Sequence, residues 1–134
     1  MTGANLNVLQ CAREVLNGTH DVPQPARVAA VLARQALEDA IIDLCQSAGA
    51  DLRTATMRSR IASLRILINS DLADRVGVTW SNLSQICHHH AYQLAPTTGE
   101  VWHLIEQVDT LLKGGTIRTA GRQSQADSNR RGAN

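Results

Sequence analysis

A chain of 134 residues with a formal net charge of +1 has the size of one domain. A balance this close to neutral excludes binding of nucleic acid by overall charge alone. The absence of Phe, with one Tyr (Tyr92) and two Trp (Trp80, Trp102), restricts the core to Leu, Ile, Val and Ala. That composition suits helix-on-helix packing and offers little for stacking on bases.

The first predicted helix covers about 5–17, where Leu6, Leu9, Val15 and Leu16, with Ala12, form an apolar stripe and Gly18 marks a stop. A linker over 18–25 holds His20, Asp21, Pro23 and Pro25, and Pro25 is well placed to open the next helix. Helix 2, over 25–47, has a wide apolar face of Val28, Val31, Leu32, Leu37, Ile41, Leu44 and Cys45, filled in by five alanines. A face this wide implies several neighbours and a central position. Gly49 lies within the segment that ends it.

Helix 3, over 54–69, repeats Met57, Ile61, Leu64 and Ile68 at 4, 3 and 4. Arg58 and Arg65 flank one side of that stripe, and Arg53 and Arg60 the other. A short connection makes helices 2 and 3 antiparallel neighbours, so Glu38, Asp39 and Asp43 are expected to face these arginines. Helix 4, over 71–91, starts at Asp71 and carries Leu72, Val76, Trp80, Leu83 and Cys87 on one stripe, with Gly77-Val78-Thr79 as its weak point. Helix 5, over 98–113, opens on the capping box Thr97-x-x-Glu100 and buries Val101, Ile105, Val108 and Leu112. Gly114-Gly115 is the predicted stop. The expected architecture is all-α, an up-and-down bundle of about five helices over 1–113, with a disordered basic tail over 114–134 that carries four Arg and one Asp.

Twelve of the thirteen basic residues are Arg, a bias that fits a GC-rich genome. Cys11, Cys45 and Cys87 show no CxxC spacing and read as reduced thiols of a cytoplasmic protein. No apolar run approaches the ~18 residues of a membrane span.

Chemistry concentrates in Cys87-His88-His89-His90-Ala91-Tyr92, between helices 4 and 5. As a metal site the segment is poorly built, because consecutive helical residues point about 100° apart and zinc sites use i,i+4 or CxxC spacings. His20 or His103 would have to complete it, and no metal or other cofactor is expected. As a general acid–base site, the histidines could move a proton near neutral pH, with a cation drawn from another helix or subunit to hold phosphate charge. As an interaction surface, the patch could meet a partner or a second copy. The plainest alternative has one His and Tyr92 hydrogen-bonding backbone groups at the helix 4–helix 5 corner, with the other histidines solvated. Likewise the helix 3 arginines either bind phosphate or pair with helix 2 acids, and the tail either adds salt-sensitive affinity for nucleic acid or is simply solvated.

Ala33-Arg34-Gln35-Ala36-Leu37-Glu38 in a long early helix resembles the corresponding helix of HEPN domains. The histidine segment, Tyr92-x-Leu94, Pro96-Thr97 and a last helix from Val101 to Leu112 resemble their second half. The resemblance covers about 25–113 and extends to small actinobacterial proteins. It implies a bundle of four or five helices, often homodimeric, that either cleaves RNA without metal or binds RNA, nucleotides or proteins in toxin–antitoxin and other defence systems. The family's catalytic motif is Arg, four to six residues, then His. Here Gln85 stands four residues before His90 in place of the Arg, and a neutral amide does not replace a guanidinium against phosphate.

The leading expectation is therefore an interaction module, binding RNA or a protein partner, with Arg58, Arg65, Gln85 and Tyr92 as phosphate or RNA contacts. A metal-independent endoribonuclease using His90, with His88 and His89 beside it, is the runner-up. A structural adaptor with no nucleic-acid role is the third.

Overall fold

The computed structural model describes residues 3–50, 52–88 and 94–131, with side chains of the last helix through Gly114. Five helices follow one another: α1 (Gly3–Leu16), α2 (Pro25–Ser47), α3 (Met57–Leu67), α4 (Ser70–Cys87) and α5 (Thr98–Arg131). No strand occurs among the described residues. The all-α bundle read from the sequence is the fold.

Helix ends follow from their caps. α1 and α2 each finish on a left-handed glycine, Gly18 (φ 80°) and Gly49 (φ 82°). The following N–H of Ala50 reaches back to Cys45 O (3.0 Å) and Gly49 N–H to Gln46 O (3.0 Å), which satisfies two terminal carbonyls of α2. α3 starts at Thr56, whose hydroxyl accepts from Ser59 N–H at 3.2 Å. α4 starts at Asn69, whose Oδ1 accepts from Leu72 N–H at 2.7 Å, so Asp71 is a first-turn acid and not the cap. The Thr97–Glu100 capping box is closed in both directions, at 3.1 and 3.3 Å.

α2 packs against all four other helices, as its wide face implied. Its deepest positions are the alanines: Ala29, Ala30, Ala33, Ala36 and Ala40 are buried, together with Leu37, Ile41 and Cys45. Val28, Leu32 and Leu44 lie at the margins and Val31 is exposed. Small side chains let neighbouring helices approach closely, and the larger aliphatics close the seams. In α1, Asn5 takes the buried place that Leu6 was expected to fill. It is enclosed and donates to Asp43 Oδ2 at 3.4 Å, while Leu6 is exposed. α4 passes through Gly77-Val78-Thr79 as one continuous helix.

α5 is also longer than its expected end at Lys113. The helical backbone continues past Gly114 and Gly115 to Arg131, a segment without proline in which each glycine costs only about 1 kcal/mol. Among the residues whose side chains are described, its last buried ones are Leu111 and Leu112. The expectation of a disordered tail over 114–134 falls on residues whose side chains, beyond Gly114, lie outside the description. No helix among the described residues is long and apolar enough to cross a membrane.

Candidate functional site

α3 and α4 are joined by two residues and lie side by side. Between them runs an open cleft of ≈ 540 Å³. Arg58 and Arg65 form one wall, two turns or about 10 Å apart along α3. Ile61 and Ala73 belong to the floor, and Ser81 and Asn82 to the opposite wall. Both arginines are exposed, but their surroundings differ. Arg65 pairs with Asp74 of α4. Arg58 has no ion-pair partner among the described residues. Gln85 is exposed and, by helical spacing, shares the outward face of α4 with Val78 and Asn82. The structure thus gathers two of the expected contact residues, Arg58 and Arg65, at this cleft, and Gln85 is not among the residues that line it.

Among the described residues, Arg58, Arg60 and Arg65 do not make the expected pairs with the α2 acids. Arg60 is spent on the chain turn before α3: its guanidinium donates to Leu52 O (3.0 and 3.2 Å) and Arg53 O (3.3 Å). Arg65 looks to α4, not α2. Glu38 is taken by Arg34 (2.9 Å) and Asp43 by Asn5. Asp39 has no ion-pair partner among the described residues, and Asp43 and Glu38 are its charged neighbours. Burial, then the charges of Asp43 and Glu38, push its carboxyl above the ordinary range.

A second polar assembly, on α2 and α4, was not anticipated. Arg34 Nε donates to Glu38 Oε1 at 2.9 Å, and Trp80 Nε1–H donates to the same oxygen at 3.0 Å. The Arg34 guanidinium lies over the Trp80 ring, 5.6 Å from its centroid, a cation–π geometry. Burial raises the pKa of the Cys87 thiol, and the nearby Arg34 guanidinium offsets part of the rise. The i,i+4 spacing of Arg34 and Glu38 was the available signal. Trp80 had been assigned only to the core stripe, and it is half-buried with its indole nitrogen engaged.

His88 caps α4. It is exposed, and its N–H bonds Ser84 O at 3.0 Å. Three expected site residues, His89, His90 and Tyr92, lie outside the described residues. His20 sits 3.3 Å from Glu14 Oε2, and His103 is 3.0 Å from Gln107 Nε2. Both imidazoles invoked to complete a metal site are therefore engaged elsewhere. Among the described residues no group of three His, Cys, Asp or Glu side chains could hold a metal ion. Cys11, Cys45 and Cys87 are free thiols. No protein-family model matches the chain, and neither a curated protein nor a solved structure proves similar to it.

Proposed function

We propose that the protein is a HEPN-like interaction module that binds RNA through the α3–α4 cleft, as part of a defence or regulatory system. The observation that supports this is Arg58, an exposed guanidinium without an acidic partner among the described residues, at the wall of an open cleft that also holds Arg65, Ser81 and Asn82. Phosphate is held by guanidinium forks and by hydroxyl and amide donors. With a net charge of +1, such affinity must be local. The resemblance adds a homodimer to this reading, and the unpaired cysteine spacing a place in the cytoplasm.

The test is fluorescence anisotropy of a labelled single-stranded RNA across a salt series. Arg58→Ala is expected to weaken binding and lower the salt slope by about 1, without loss of fold. Binding indifferent to both salt and Arg58→Ala would refute the assignment.

One observation favours the runner-up, an endoribonuclease using His90. The charges of Arg34 and Arg27 are both felt at the Cys87 thiol, where they oppose the rise that burial causes. Cationic groups from α2 therefore stand beside the residue that leads into the histidines, where Gln85 offers none. RNA cleavage in EDTA that His90→Ala abolishes would establish that reading.

A further inference from the structure

The crest of α4 at Val78 separates the Arg58 cleft from a second hollow, a groove of ≈ 490 Å³ between α4 and α5. Its apolar surface comes from Val78, an exposed valine, and from Leu111, with Thr79 nearly enclosed. The charges at its rim are already matched. Asp74 pairs with Arg65, Arg75 with Asp71 (3.4 Å), and Glu106 with Arg13 (3.5 Å). A charged ligand would find no unmatched opposite charge there.

One group in the groove wall is not matched. Gln107 Nε2 meets His103 Nε2 at 3.0 Å, while Gln107 Oε1 is enclosed and has no hydrogen-bond partner among the described residues. Turning the amide over does not cure this. The imidazole nitrogen can donate or accept according to its tautomer, and one amide atom stays enclosed and unsatisfied either way. Leaving such a group unpaired is unfavourable. A donor brought into the groove recovers that cost once the amide swings to meet it.

We propose that the α4–α5 groove binds a small, uncharged, mostly apolar molecule carrying one N–H or O–H donor, which Gln107 receives while Val78 and Leu111 cover the apolar body. The volume is that of a small-molecule site, and such sites combine apolar walls with few polar groups. The inference stands apart from RNA binding, which uses the other side of the α4 crest.

Indole, an apolar ring system with one N–H, is a suitable probe, and 1-methylindole is its donor-free control. Titrated into the full-length ¹⁵N-labelled protein, indole is expected to move the amide signals of Val78, Thr79, Gln107 and Leu111 in a saturable way. 1-Methylindole is expected to bind about tenfold more weakly, the equivalent of one hydrogen bond. Gln107→Leu should erase the difference between the two probes. No response to millimolar indole, or equal binding of both probes to the unaltered protein, would overturn the proposal. A response only to a Leu- and Lys-based amphipathic peptide would overturn it in favour of a protein-docking groove.

Discussion

Arg34 and Arg58 are the same side chain on two neighbouring helices, with opposite fates. Arg34 on α2 is stacked on Trp80 and bonded to Glu38. Arg58 on α3 stands at the wall of an open cleft. The first ties two helices together, and the second has no acidic partner among the described residues. What separates them is the neighbour across the seam. α2 faces a helix with an indole and a thiol at matching heights, whereas the wall opposite Arg58 offers a serine and an asparagine. Arginine content alone therefore says little about ligand binding, and the partner already present decides.

The contrast between inner and outer seams can be broken most forcefully with alanines. Ala36→Leu places three extra carbons at a fully enclosed position of α2 and should cost about 1–3 kcal/mol by overpacking, read as a lowered urea midpoint. Ala62→Leu, at an exposed position lining the cleft, should leave stability within about 0.5 kcal/mol while narrowing the proposed RNA path. Equal stability losses in both would erase the distinction.

Next in size is Arg34→Ala. Loss of the Glu38 pair and of the Trp80 stack should cost about 1–2 kcal/mol and change Trp fluorescence, with RNA affinity retained under the leading proposal. Arg58→Ala should do the reverse, keeping the melting temperature and losing affinity. If Arg34→Ala abolishes RNA binding in a protein that stays folded, the α2–α4 corner and not the cleft is the site.

The smallest effect belongs to Asp39. Because its carboxyl is raised in the fold, the folded chain holds that proton more tightly than the unfolded chain. Ionisation therefore disfavours folding, and the cost develops as pH rises from the ordinary carboxyl range through the raised value. Asp39→Asn should stabilise at pH 7 by about 0.2–0.5 kcal/mol, the scale of an i,i+4 like-charge pair. That gain should fade as pH falls back through the raised value. A gain that persists into acid would show that the cause is not ionisation.

Local signals were legible. The Thr97–Glu100 box, Pro25 at a helix start, and Gly18 and Gly49 at helix ends act within a few residues of chain, so the sequence announces them directly. Stripes such as Val101, Ile105, Val108 and Leu112 are likewise periodic and are found buried. Side-chain partners across seams were less legible. Helical spacing tells which face Arg60 occupies, yet its guanidinium turned to the carbonyls of Leu52 and Arg53 instead of the acids of α2. The same limit hid the Trp80–Glu38 bond, which spans 42 positions of sequence, and the unmatched amide of Gln107. Of the candidate site, Arg58 and Arg65 were correctly grouped on one side of α3 by their seven-residue spacing, but the cleft itself exists only because α4 lies alongside.

By itself the sequence determined that the chain is helical, how many helices it forms, where most of them begin and end, and that aliphatic side chains with alanine at the centre build the core. These follow from hydrogen bonds and periodicities within a few residues of each position. Only the tertiary structure decided which charges are spent and which remain. Two helices must first be laid against each other before a guanidinium can choose between a neighbouring carboxylate, a carbonyl and open water.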